Sequence, residues 1–373
     1  MNRVQILRVM PRHSRVGKKD INLTMNEQKY LVDKLEEENR LSRSEWVMLI
    51  GGRDSELADY LFRRARLVRE KYYGREVYIR GLIELTNYCK QDCYYCGIRK
   101  SNLQVERYRL TDEEVLACCR EGYELGFRTF VLQGGEDNYY TDERLLPLVA
   151  SIRQLYPECA ITLSLGERSR ESYQALYDEG ANRYLLRHET ANQNHYSRLH
   201  PENLISTQRQ KCLWDLKEIG YEVGSGFMVG SPYQTIENLA EDMLFLKELN
   251  PQMIGIGPFI SHHATPFSEE TSGSLELTLF MIGLLRLMIP KVLLPSTTSL
   301  GTIAKDGREQ GILAGANVVM PNLSPMAVRK NYLLYDDKIC TTDEPYDSYE
   351  RVTESMELIG YKLMVSRGDS LNL

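Results

Sequence analysis

The sequence predicts an α/β chain folded as a TIM-type (βα)8 barrel, with a helical extension before the barrel and a helix after it. Three observations point there. Eight short runs rich in Val, Ile and Leu alternate with amphipathic helical stretches, which implies a parallel sheet with helices outside. Eight such units are the number that closes a barrel. The unusual polar residues fall where each run ends, and in this fold those ends form the active face. An open, doubly wound sheet is the alternative.

Composition sets the outer limits. Of 373 residues, 42% are apolar and 26% charged, the balance of a globular chain. A net charge of −6 argues against a broad nucleic-acid footprint. No apolar run has the length of a membrane span. Eight cysteines in so long a chain are not a secreted disulfide framework, so a reducing cytoplasm is expected.

Residues 1–25 open with six Arg or Lys and one acid in the first twenty positions, without a periodic apolar face. They are expected to be a disordered basic arm or a non-native start. Residues 26–75 read as helices packing on the barrel. Ser42-Arg43-Ser44-Glu45 and Asp54-Ser55-Glu56 are helix starts, and 55–73 places Leu57, Leu61, Ala65 and Val68 on one face. Residues 76–325 are the barrel. Its expected strands are 77–85, 129–133, 160–165, 183–187, 222–229, 253–259, 292–298 and 317–320. Its expected helices are 112–125, 142–155, 170–178, 201–219, 236–249, 275–288 and 306–313. Residues 326–373 are expected to cap it.

The first strand runs into Cys89, Cys93 and Cys96, spaced C-x3-C-x2-C. Soft thiolates select zinc, copper(I) or iron–sulfur clusters. Structural zinc closes its shell with four ligands, and no fourth thiol or paired histidine follows nearby. A 4Fe–4S cluster takes four thiolates when closed. Three leave one iron open to a substrate with an amine and a carboxylate, such as the methionine part of S-adenosylmethionine (SAM).

The later strand ends offer groups suited to such a ligand. Gly134-Gly135-Glu136 permits close backbone approach and supplies a carboxylate for an amine. Arg187 asks for a bidentate carboxylate, from a ligand or from Glu189 or Glu167. Arg209 in the next helix can reach the same region. Thr162, Ser164, Thr297 and Thr298 put hydroxyls toward the barrel mouth. Tyr332 and Tyr335 follow the last strand and can close the cavity. His262 and His263 are expected to point apart, and Cys118, Cys119 and Cys212 to serve packing.

Together these residues resemble the radical SAM superfamily, whose thiol motif carries an aromatic before its last cysteine, here Tyr95. Gly134-Gly135-Glu136-Asp137, Ser164-Leu165-Gly166-Glu167, Arg187-His188-Glu189-Thr190-Ala191-Asn192, Met228-Val229-Gly230 and Gly257-Pro258-Phe259-Ile260 are similar to the HydE family of FeFe-hydrogenase maturases, over residues 26–340. The resemblance implies a monomeric barrel in which Cys89, Cys93 and Cys96 hold a 4Fe–4S cluster. It implies that Glu136, Glu189 and Arg209 hold the methionyl part of SAM, and that Met228 and Val229 flank the adenine. Tyr95, Gly134, Gly135 and Ser164 would complete the cofactor site. Thr162, Arg187, Thr297, Thr298, Tyr332 and Tyr335 would line the substrate end. The implied reaction is attack of a 5′-deoxyadenosyl radical on a cysteine-bound Fe(CO)2(CN) precursor in H-cluster assembly. A low-potential ferredoxin or flavodoxin would supply electrons, and other maturases would be transient partners. Some members of the family carry a second cluster on three C-terminal cysteines, and none is expected here. Only Cys340 remains, with Ser348 and Arg351 at the matching positions. The alternatives are a methylornithine-synthase-like mutase, biotin-synthase-like sulfur insertion and a non-catalytic iron–sulfur carrier.

Overall fold

The computed structural model describes residues 24–339 and 345–372, so Cys340 and nearly all of the basic arm lie outside the described residues. The elements run α1 (Met25–Glu38), α2 (Arg43–Gly51), α3 (Ser55–Tyr73), β1 (Glu76–Ile79), β2 (Gly81–Thr86), α4 (Asp112–Glu124), β3 (Thr129–Gly134), α5 (Asp142–Leu155), β4 (Ala160–Ser164), α6 (Arg170–Asp178) and β5 (Arg183–Leu185). They continue with α7 (Gln193–Leu199), α8 (Ser206–Ile219), β6 (Glu222–Ser225), β7 (Met228–Val229), α9 (Ile236–Leu249), β8 (Met253–Ile254), β9 (Gly257–Pro258), α10 (Leu275–Met288), α11 (Thr298–Ile303), α12 (Gly307–Leu313), β10 (Val318–Val319), α13 (Met326–Arg329), α14 (Pro345–Leu358) and β11 (Lys362–Met364).

The first three helices start where the cap signals place them. Thr24 with Glu27, and Ser42 with Glu45, form complete capping boxes, and Asp54 accepts from Leu57 N–H. Each cap is worth about 1 kcal/mol. The apolar stripe of α3 packs on α10, and α2 packs on α9.

The barrel closes. Strands β2, β3, β4, β5, β6 and β8 form one parallel sheet in that order. Single parallel bridges from Met253 to Leu293 and from Pro295 to Val318 carry the ring onward. Strand β10 then pairs with β1, and Leu82 of β2 pairs with Asn322. The expected seventh strand, 292–298, is reduced to those bridging residues. Pro295 has no N–H to continue a ladder, and Thr298 already begins α11. Expected strands one, five and six are each split in two. Between the halves of five and six, Gly226 faces Gly255 so closely that a Cβ would lie 2.0 Å from Gly255 O.

Ile83, Leu85, Leu132 and Leu163 join the main core. With a period of two, Glu84, Val131 and Thr162 therefore turn into the barrel. Segment 326–373, expected as one cap, divides in two. Residues 326–339 lie over the mouth, where Leu334 O accepts from Gly97 N–H. Strand β11, which the sequence pattern missed, runs parallel to β1 at the opposite end. There Asp369 pairs with Arg183 at 2.6 Å and Asn372 O accepts from Gln252. Among the described residues no helix is long and apolar enough to cross a membrane.

Candidate active site at the barrel mouth

Cys89, Cys93 and Cys96 sit half-buried on the loop that follows β2. Cys89 Sγ accepts from Gln91 N–H at 3.4 Å. Burial, with the neighbouring thiols, pushes Cys93 well above its ordinary pKa and Cys96 up to about 12. Thiols this shielded ionise on binding metal, which releases their protons. Cys118, Cys119, Cys159 and Cys212 are buried elsewhere; the first two lie in α4 and the last in α8.

The end of β3 presses on this loop. Gly135 N–H donates to Thr86 O, and a Cβ on Gly135 would lie 2.1 Å from Tyr88 O and 2.8 Å from Cys89 Cβ. Lys90 N–H donates to Glu136 O. The Glu136 carboxylate is held from three sides: Gln91 Nε2 at 2.7 Å, Glu167 N–H at 3.3 Å and Arg209 Nη2 at 3.3 Å. Gly166, at φ +76°, makes room for it, since a Cβ there would lie 2.0 Å from Glu136 Cγ. Ser164 is half-buried at the end of β4. Arg209 also reaches Glu167 at 3.0 Å, Tyr196 OH at 3.3 Å and Arg187 O at 3.3 Å. Burial alone would lower the pKa of its guanidinium; Tyr196, Glu167 and Glu136 outweigh that and hold it well above its ordinary value.

The run from Arg187 to Asn192 is the best-braced part of the mouth. His188 touches Ser225 Oγ at 3.0 Å and Asp242 Oδ1 at 3.3 Å. Asp242 Oδ1 also accepts from Ala191 N–H at 2.6 Å. Thr190 bonds His195, and Asn192 caps α7. Those residues are spent on structure. Arg187 and Glu189 are not. Glu189 sits at φ +64°, an uncommon and strained conformation for a non-glycine residue. Its Oε2 is buried with no hydrogen-bond partner, as are Nε and Nη2 of Arg187; the two side chains form an ion pair at 3.6 Å, the internal partner the sequence offered for Arg187, but too long for a hydrogen bond. A zwitterion carrying an amine and a carboxylate would satisfy both.

Tyr95 OH meets His200 Nε2 at 3.2 Å, and His200 stacks on Tyr196 at 3.9 Å. Met228 joins Tyr94, Tyr95, Leu199, Phe259 and Phe267 in an apolar wall. The Val229 side chain is not brought there. It is fully buried in the main core, so only its backbone faces that wall. Deeper in the barrel, Thr162 Oγ1 is buried without a partner in a small cavity shared with Arg80, Arg183 and Met253. Thr297 bonds Ser299 at 3.0 Å against Gly257, and half-buried Thr298 begins α11. Tyr332 is buried; its hydroxyl accepts from Gln133, and its backbone O accepts from Lys338, which also meets Glu84 at 2.6 Å. Tyr335 is half-buried on the same segment.

His262 and His263 do not point apart. The chain turns at His262, whose O accepts from Thr265 N–H; the rings stack at 4.4 Å, and both face Asp336. Sequence reasoning also missed Asp242, Ser225, His200 and the Glu84–Lys338 pair. Asp242 left a signal: an acid among Leu239, Met243 and Leu246 on the apolar stripe of α9.

The donor set fits an open iron–sulfur cluster and its zwitterionic ligand: three thiols on one loop, with an unsatisfied guanidinium and carboxylate in the same mouth. Residues 83–246 match the model of the Radical SAM superfamily. The chain is 45% identical over 302 residues to the [FeFe] hydrogenase maturase subunit HydE of Thermotoga maritima, covering 81% of this chain and 86% of that one. It is 28% identical to 3-methylornithine synthase of Methanosarcina acetivorans, over 87% of this chain and 91% of that one. The crystal structure of methylornithine synthase (PylB) superposes with a TM-score of 0.79 at 28% identity, covering 90% of this chain and 97% of that one.

Proposed function

The chain belongs to the radical SAM superfamily and, within it, to the HydE family of FeFe-hydrogenase maturases, and from that premise we propose that it acts on a cysteine-bound Fe(CO)2(CN) precursor in H-cluster assembly. A 4Fe–4S cluster held by these thiols would supply the electron for reductive cleavage of SAM, and with it radical chemistry on the precursor. The cluster ligands we assign are Cys89, Cys93 and Cys96. Glu136 and Glu189 accept from the amine of SAM, and Arg209 holds the Glu136 carboxylate in place. Tyr95, Gly134, Gly135 and Ser164 shape the rest of that pocket. Met228, with the Val229 backbone, flanks the adenine. Thr297, Thr298, Tyr332 and Tyr335 line the substrate end with Thr162, and the barrel wall excludes water. The chain works as a monomer in the reducing cytoplasm, with other maturases as transient partners.

One observation carries the substrate assignment. Arg187 Nε and Nη2 are buried and unsatisfied. Leaving such donors unpaired costs about 1–3 kcal/mol or more. The carboxylate of the cysteine that holds the iron fragment supplies the missing acceptors in a bidentate contact. A mutase acting on lysine would present a carboxylate too, so substrate identity is the test. Cluster-loaded protein with SAM and dithionite is offered the cysteine–iron complex or lysine, and products are read by mass spectrometry. An adenosylated product from the complex supports the reading. Methylornithine from lysine, with the complex untouched, overturns it.

A further inference from the structure

One turn at the rim of the mouth holds a residue in a backbone conformation that disfavours it. Among the described residues, five that are not glycine have a positive φ: Asn39, Glu189, Tyr233, Asn250 and Asp337. Asn and Asp tolerate that region, and Asn39 and Asn250 end α1 and α9 there. Glu189 lies in the site already described. Tyr233, at φ +66°, is left without a local reason.

Its turn is fixed from several sides. Gln234 N–H donates to Ser231 O at 3.1 Å, with Pro232 and Tyr233 as the central pair. Pro232 holds φ negative, so the positive φ at Tyr233 makes the type II pattern, whose third position ordinarily takes Gly or Asn. The Gln234 side chain donates to Met228 O at 2.8 Å and accepts from Gly230 N–H at 2.6 Å, which ties the turn to β7. From α7, His195 Nε2 meets Pro232 O at 3.0 Å. Strain of this kind persists only where the surroundings over-determine it, and it clusters at ligand clamps.

The strained position adds one more ring to the apolar wall beside Met228. Phe267 is the hub of that wall. It meets Tyr94 at 6.1 Å and Phe259 at 6.4 Å, both edge to face, and it meets Tyr233 at 6.2 Å and 70°. Arg198 of α7 stands over the Tyr233 ring, 4.0 Å from its centroid. Met228, Phe259 and Phe267 are buried, whereas Tyr233 stays 36% exposed at the outer end of the wall. Aromatic surface left open at the end of an apolar wall suits a flat ligand group with a π-face.

We propose that Tyr233 closes the outer side of the adenine subsite of SAM, and that its strained turn is kept for that contact. The inference rests on the proposed function, which puts the adenine at Met228. Tyr233→Ala and Tyr233→Gly both remove the ring, but only glycine relieves the backbone. Tyr233→Phe keeps the ring. Thermal melts of the metal-free proteins read the strain. Equilibrium dialysis of the cluster-loaded, unreduced proteins reads affinity for SAM and for methionine, which lacks the adenine.

Tyr233→Gly should melt about 1–2 °C above Tyr233→Ala. Both should bind SAM about tenfold or more weakly than wild type, the usual effect of losing an aromatic ring from a base. Their methionine affinity should be unchanged, and Tyr233→Phe should bind SAM as wild type does. Equal SAM affinity in wild type and Tyr233→Ala makes the ring a packing element and overturns the proposal. So does a methionine affinity that falls in step with that for SAM, since the mouth as a whole has then shifted. Equal melting of Tyr233→Ala and Tyr233→Gly shows an unstrained turn and overturns the proposal's second half. A wild type that binds neither ligand overturns the proposed function, and this assignment falls with it.

Discussion

Arg209→Met tests the electrostatic frame of the mouth. Arg209 is about nine-tenths buried and bridges Glu136 and Glu167, at 3.3 and 3.0 Å; their side chains are 9% and 17% exposed, and the more exposed Lys90 stands 3.8 Å from Glu136. Removing it leaves two carboxylates facing each other with little water. Breaking a buried pair from one side costs about 3–5 kcal/mol. At the usual unfolding entropy per residue, a 373-residue chain then loses roughly 4–6 °C in Tm. The loss should depend on pH. Burial already raises the Glu167 pKa, Arg209 opposes that rise and Glu136 adds to it. Without Arg209 it rises further. A carboxyl raised on folding contributes stability below its unfolded pKa and loses it as pH rises through the folded value. The Tm deficit of Arg209→Met should therefore be smaller near about pH 5 than near about pH 8. Adding Glu167→Gln should recover about half of it, by removing one of the two charges. Thermal melts of the metal-free protein measure all three. A variant that melts within a degree of wild type at both pH values would refute the reasoning.

Other substitutions separate function from stability. Arg187→Met removes two unsatisfied donors but also the 3.6 Å ion-pair partner of buried Glu189, so the two effects on Tm oppose and Tm should change little, while turnover of the iron substrate falls by roughly 100-fold or more; thermal melts beside product assays check both halves. Gly166→Ala places a methyl on Glu136 at a positive φ and should cost about 1–3 kcal/mol; equilibrium dialysis should show weaker SAM binding as Glu136 is displaced. Asp242→Ala leaves His188 and Ala191 N–H without their acceptor and should cost about 2–4 kcal/mol. It should raise KM for SAM without changing the iron content of the reconstituted protein.

The parts of the site that depend on local periodicity were legible in the sequence. The βα alternation placed the helices within a few residues, and the thiols announced themselves by spacing. The Arg187–Asn192 run was legible as a site but not in its division of labour. Its partners, Ser225 on β6 and Asp242 on α9, lie 37 and 54 residues beyond His188, and no window connects them. Met228 and Val229 divide as strand neighbours must: they face opposite sides, so the Met228 side chain joins the apolar wall and the Val229 side chain joins the main core. The seventh strand was misread because apolar content outweighed Pro295. Strand β11 could not be foreseen, since its three residues are a strand only because β1 has a free edge there. The histidine pair failed for the same kind of reason: a turn set by tertiary contacts replaced the extended chain assumed for it.

The proposed role of this chain is the HydE step of hydrogenase maturation. The direct measurement is hydrogen evolution from apo-FeFe-hydrogenase in an anaerobic maturation mixture that contains the other maturases, SAM and reductant but lacks this step. Cluster-loaded wild type should restore hydrogen evolution, and Cys93→Ser and Arg187→Met should not. A wild-type protein that carries its cluster and cleaves SAM, yet restores no hydrogen evolution, would contradict it.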